Sequence, residues 1–255
     1  MKISIEDLLK GKATIIKDRE YLPTKSYVEP FLERMSKFTD DFRVEVRLPD
    51  QITKLDSTED ITYNRVWIQA VMPNELEFEN HYEAIHLLYA LDSRKPLFKI
   101  ARSAINGACL NQCVFSPTFI NTQLLEPGTP ADFSCLNRLM EQTNDIISWL
   151  NKLNSIKIPY DNNIINLNLG SWVRKCISNY IDSEFGKIKL AVSTAIDAYK
   201  LLYEKKESSY YIDRGEESTM FNIYNAFTDI VSHDNKDITN PLEKTLLLKD
   251  ILGLV

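Results

Sequence analysis

Glycine is scarce in this chain, with only 7 glycines among 255 residues. Average usage is about 7%, so most of the usual glycine turns are missing. Loops that cradle phosphate groups need glycine where the backbone approaches the ligand closely. The composition therefore excludes most nucleotide-binding loops of that kind.

Cysteine and histidine are also rare, with four and three residues respectively. The cysteines are too few and too irregularly spaced for a disulfide scaffold, so we expect reduced thiols and a cytoplasmic location. They stand at positions 109, 113, 135 and 176. For a phage-encoded protein the location would be the cytoplasm of the host cell.

The same residues give no metal or catalytic pattern. His81 and His86 are five residues apart, and Cys109 and Cys113 four apart, which is neither of the usual zinc spacings. A pair of Cys109 with a histidine base is the alternative, but no feature of the sequence brings a histidine to a thiol. We therefore predict no catalytic residue, no metal ligand and no cofactor.

Long apolar runs are missing as well. No stretch reaches the roughly 18 apolar residues of a membrane-spanning helix, and the start MKISIEDLLKGK lacks the apolar core of a signal peptide. We expect no membrane partner.

What the chain does have is enough apolar sequence for a core, 44% with 10% aromatic residues. Alternating and buried apolar runs predict strands over 42–49, 66–72, 84–91 and 97–105. Helical spacing predicts helices over 24–38, 136–153, 185–203, 220–231 and 239–252. We therefore predict one α+β domain over residues 1–255, with an antiparallel sheet of about four or five strands (40–120) followed by several helices (130–252).

One segment departs from the overall acidity. The chain has a net charge of −6, yet residues 93–125 contain no acidic side chain. We predict a positive groove for single-stranded DNA formed by this segment and a second basic one, with the residues Arg94, Lys95, Lys99, Arg102, Arg174, Lys175, Lys187 and Lys189. The alternative is a basic turn that offsets the acidic remainder or contacts a second subunit. The acidity itself favours a protein partner.

Two asparagines stand inside apolar runs, Asn111 and Asn225. A buried amide must be hydrogen-bonded or it costs about 1–3 kcal/mol. We therefore expect both to be structural and to tie the end of the sheet to the helix over 221–231.

Two segments together carry a resemblance to a known family. They are ALDSRKPLFKIARSAINGACLNQCVF, with Cys109, Asn111 and Cys113, and STMFNIYNAFTDIVSHDN, with Asn225 and His233. Over roughly residues 80–235 the chain resembles phage- and plasmid-encoded proteins of the DUF932/DUF3871 group. The family's Asp-Gly hairpin turn is replaced here by Asp-Ser. The resemblance assigns His233 a structural role.

The resemblance implies a non-enzymatic accessory protein of a phage or mobile element. The predicted layout is also similar to that of single-strand annealing proteins, which implies single-stranded DNA binding in replication or recombination by a homo-oligomer. Likeness of layout does not by itself assign a function. The alternative is a protein-binding module, such as an inhibitor of a host enzyme or defence system.

Overall fold

A computed structural model gives the architecture. It describes residues 3–48, 61–76, 78, 80–92, 95–106, 112–113, 120–141, 143–159, 171, 185–213 and 216–232. The predicted helix over 239–252 lies outside these residues.

The fold is α+β, as predicted, and is built on an antiparallel sheet. Its strands are β3 (Arg43–Arg47), β4 (Arg65–Glu75), β5 (His81–Ala90), β6 (Leu97–Asn106), β7 (Gln112–Cys113) and β8 (Ile120–Leu124). The strand order is β3-β4-β5-β6, and both β7 and β8 pair with β6. The β5–β6 hairpin keeps one register from His81 opposite Asn106 to Ala90 opposite Leu97.

Six helices are seen in the described part of the chain. They are α1 (Ile5–Leu9), α2 (Lys25–Met35), α3 (Cys135–Met140), α4 (Thr143–Ser155), α5 (Phe185–Tyr203) and α6 (Met220–Ser232). The predicted helix over 136–153 is divided into α3 and α4. Two short ribbons were not predicted, β1 (Thr14–Ile16) with β2 (Arg19–Tyr21), and β9 (Lys157–Pro159) with β10 (Glu217–Thr219).

Helix α2 follows its apolar spacing despite an internal proline. Pro30 is the sixth residue of the helix and does not divide it. Thr24 precedes the helix without capping it, and its Oγ1 instead accepts a hydrogen bond from the Tyr89 hydroxyl at 3.2 Å. The buried side of α2, which includes Phe31 and Met35, packs in the same cluster as Ile85 and Ile100 of the sheet.

Both faces of the sheet are covered by helices. One face packs against α2 and α3, and the other packs against α4, α5 and α6. We call the second one the α4–α6 face. In β5 nine of ten residues are buried, all except the half-buried Tyr82. The alternation typical of a one-sided antiparallel sheet is therefore lost in the central strands.

Candidate functional site

The structure corrects the central part of the predicted DNA groove. Lys99 is 3% exposed and Arg102 is fully buried, so neither side chain presents its charge to solvent. Lys95 is exposed in the turn before β6. The other predicted residues lie outside the described side chains: Arg94, Arg174, Lys175, Lys187 and Lys189.

Arg102 is part of an internal ion pair on the face covered by α2 and α3. Its Nη2 lies 2.8 Å from Oε2 of Glu83, and its Nη1 donates to the carbonyl oxygen of Leu139. The side chain thus joins β5 and β6 to α3. Because its burial follows from helices on both faces of the sheet, the positive charge of this segment could not be read as surface charge.

The opposite, α4–α6 face carries an unusual set of polar side chains. We call it the polar cluster: Arg47, Trp67, Gln69, His86, Lys99 and Ser103. The strand registers explain why these residues meet. Arg47, Trp67, Leu88 and Lys99 are successive cross-strand partners, and Glu45, Gln69 and His86 form the neighbouring row. Cross-strand partners project from the same face of a sheet.

His86 is the centre of a hydrogen-bonded relay in this cluster. Its Nδ1 accepts from Nε1 of Trp67 at 3.1 Å, and its Nε2 is 2.6 Å from Oγ of Ser103. The indole nitrogen can only donate, so the ring proton is assigned to Nε2, which donates to Ser103. A base for Ser103 would need Nε2 unprotonated, so this pair is not arranged as a nucleophile and its base.

Burial keeps this imidazole neutral. Desolvation, followed by the nearby charge of Arg47, lowers the pKa of His86 to about 3. The Arg47 guanidinium lies 5.1 Å from the centroid of the Trp67 ring, within the range of a cation–π contact. Burial also lowers the pKa of Arg47, while the charge of Glu45 raises it.

Gln69 is the exception to the polar satisfaction of the cluster. It is fully buried, and neither its Oε1 nor its Nε2 has a hydrogen-bond partner. Leaving a buried polar group unsatisfied costs about 1–3 kcal/mol. Such a cost in the middle of a sheet calls for an explanation.

A groove of about 510 Å³ opens beside this cluster. It is lined by Asp41, Arg43, Val71, Met72, Pro73, Asn80 and Tyr82. Arg43 and Val71 are register partners one row away from Glu45 and Gln69, so the groove continues the α4–α6 face toward the ends of the strands. The register of β4 on β5 shifts between Val71 and Glu75, where the strand pairing is interrupted.

The groove is polar at its rim and has little net charge. Asp41, Arg43, Pro73 and Asn80 are exposed. Arg43 Nε lies 3.1 Å from Oε1 of Glu45, so its charge is offset locally. Sequence reasoning missed this site. The available signal was that Arg43, Glu45 and Arg47 alternate along one strand and therefore share a face.

The remaining predicted residues are only partly described. Asn225 is buried on α6, and its carbonyl oxygen accepts from Oγ1 of Thr228 at 3.0 Å. Asn111 and His233 lie outside the described residues. Cys135 is a buried free thiol whose pKa is raised by burial. Across the described residues, no three histidine, cysteine or acidic side chains are grouped as metal ligands.

Comparison with protein-family models, curated proteins and solved structures finds no match. The resemblance to the phage- and plasmid-encoded group thus stays a prediction. None of the described helices combines the length and apolar character needed to cross a membrane.

Proposed function

We propose that this chain is a non-enzymatic binding protein whose groove takes an extended segment of a partner protein. The observation that carries the proposal is the lining of the groove, which combines Arg43, Met72 and Tyr82 with a compensating acid, Asp41. Arginine, methionine and tyrosine are enriched where proteins contact one another.

The groove is better suited to a peptide than to a small molecule. Its volume of about 510 Å³ is within the range of ligand sites. However, small-molecule sites bury most of the ligand surface, whereas Pro73, Asn80 and Arg43 lie exposed around this groove. An open groove with a half-buried tyrosine fits a segment that continues beyond it on both sides.

A protein partner is also favoured over single-stranded DNA. Binding to a phosphate backbone depends on several accessible cations. In the groove Arg43 is accompanied by Asp41 and paired with Glu45. Lys99 and Arg102, the two strand residues of the predicted DNA groove, are buried. Annealing of DNA is accordingly the competing outcome in the test below.

The absence of catalysis is part of the proposal and is supported by the polar cluster. His86 carries its proton on Nε2, and both ring nitrogens already contact side chains, Trp67 and Ser103. The pair therefore has no free base. A phage or mobile-element origin and self-association remain predictions from the resemblance, and light scattering of the purified chain tests the second.

Peptide selection tests the proposal for a partner segment of any sequence. Random twelve-residue peptides are displayed and selected on the purified chain, and the affinity of the selected peptides is measured by fluorescence anisotropy. We expect Arg43→Glu to weaken binding at least tenfold, about 1.4 kcal/mol. The matched control is Arg19→Glu, the same charge reversal at an exposed position outside the groove. It should leave affinity unchanged.

Two results contradict the proposal. One is that selected peptides respond equally to Arg43→Glu and Arg19→Glu, which would place them elsewhere on the surface. The other is that a 30-nucleotide oligothymidine binds in about 50 mM salt, weakens steeply at higher salt, and is lost with Lys95→Glu. That result would establish nucleic acid as the partner.

A further inference from the structure

We infer that Gln69 forms the inner end of the groove and recognises an amide group of the segment bound there. The inference rests on the proposed function and names the chemistry that the segment must carry. It starts from the two polar atoms of Gln69, both buried and both without a hydrogen-bond partner.

The bound segment can reach Gln69 from the groove. Gln69 lies one row from Val71 of the groove lining, and its cross-strand partner on β3 is Glu45. The side chains at this edge are Arg43 and Glu45, which are 60% and 26% exposed and are paired at 3.1 Å. Exposed ion pairs contribute only about 0–1 kcal/mol, so moving these two side chains aside costs little.

The two free atoms of Gln69 specify the ligand. Oε1 needs a donor and Nε2 needs an acceptor. A peptide unit, or an asparagine or glutamine side chain, offers both at adjacent positions. A carboxylate would satisfy only Nε2, and an ammonium group only Oε1. His86, the partner of Gln69 on β5, directs its ring nitrogens to Trp67 and Ser103.

A pair of glutamine variants separates recognition from structure. Replacing an unpaired buried amide with an apolar side chain of similar shape removes a desolvation cost. Gln69→Leu should therefore keep or raise the melting temperature of the free protein. The matched control is Gln123→Leu. The Gln123 amide is paired, since Oε1 accepts from the Asp132 backbone N–H at 3.0 Å and Nε2 donates to the Asp132 carbonyl. That variant should lower the melting temperature.

Small amides test the chemistry directly in nitrogen-15 NMR spectra. The side-chain NH₂ signals of Gln69 are assigned by their loss in Gln69→Leu. We expect acetamide or N-methylacetamide to shift them saturably, and acetate to leave them in place. A larger effect of N-methylacetamide assigns a backbone peptide unit, and a larger effect of acetamide assigns an asparagine or glutamine side chain.

The outcomes are distinguishable from those of the proposed function. If Gln69→Leu lowers the melting temperature as Gln123→Leu does, the amide is held by internal water and the inference is overturned. Failure of both amides to shift the Gln69 signals also overturns it. Peptides that lose affinity with Arg43→Glu but bind Gln69→Leu normally would retain the groove function and remove only this recognition. Selected peptides that lose tenfold or more with both variants support the two together.

Discussion

Acid should destabilise this protein through His86 at pH values where most carboxylates are still ionised. The pKa of His86 is about 3 in the folded chain, against an ordinary value of 6.5. The unfolded chain therefore binds a proton that the folded chain does not. Stability rises with pH wherever the unfolded state binds more protons. The contribution is full above pH 6.5 and is lost progressively as the pH falls toward 3.

The size of this effect follows from the shift. Each pH unit between the two pKa values changes the free energy of unfolding by about 1.4 kcal/mol. At pH 5, which is 1.5 units below 6.5, the loss amounts to roughly 2 kcal/mol. Domains are usually stable by about 5–15 kcal/mol, so the loss is readily measured. The physical cause is the desolvation of a charge placed between Trp67 and Ser103 in the core.

Urea unfolding at pH 7.5, 6.0 and 5.0 checks this expectation against His86→Gln. Glutamine offers an acceptor for the Trp67 N–H and a donor for Ser103 but does not titrate. The wild type should lose roughly 2 kcal/mol more than the variant between pH 7.5 and 5.0. The other two histidines and all carboxylates are present in both proteins, so they cancel. Equal slopes in the two proteins would refute the argument that His86 is held neutral by burial.

Three substitutions test the remaining internal contacts. Arg102→Met should cost about 3–5 kcal/mol in urea unfolding because it leaves the Glu83 carboxylate buried without its partner. Adding Glu83→Leu should recover most of that loss, and a double variant as unstable as the single one would contradict the pairing. Lys95→Glu, at an exposed turn position, should change stability by no more than about 0.5 kcal/mol. Gly11→Ala should lower the thermal midpoint, because its Cβ would meet the side chain of Thr24, and an unchanged midpoint would show that this contact relaxes freely.

The strands that the sequence predicted are those whose pattern survives in the sheet. The alternation in 42–49 gave β3, at the end of the strand order, where the burial of side chains varies along the strand. The hairpin turn before Lys95 was evident from the polar residues between two apolar runs. Helix α2 was predicted within a few residues, and Pro30 did not alter it because it faces away from the buried side that holds Phe31.

The divided helix and the short ribbons were beyond local pattern. Apolar spacing continues from Leu136 to Leu153 through the break between α3 and α4, yet the two helices pack in different clusters on opposite faces of the sheet. Periodicity records that a face is apolar but not which surface it meets. The β9–β10 pairing joins residues about 60 positions apart in the chain, Ile158 and Ser218. No local signal encodes such a contact.

The misplacement of Lys99 and Arg102 has the same cause. Their charges were counted along the chain, where no acidic residue is near, although the partner of Arg102 is Glu83 on the preceding strand. A count along the sequence cannot reveal a cross-strand partner nineteen residues away.

Burial of a charge in a strand is acceptable when a paired carboxylate and a carbonyl oxygen receive it, as Glu83 and Leu139 do for Arg102. The same reasoning distinguishes Gln69, which lies one strand away on the opposite face and receives nothing. A fold that satisfies His86, Trp67 and Arg102 internally but leaves one central amide unmatched has reserved that amide for a group from outside. The groove at Arg43 and Val71 is where such a group would enter.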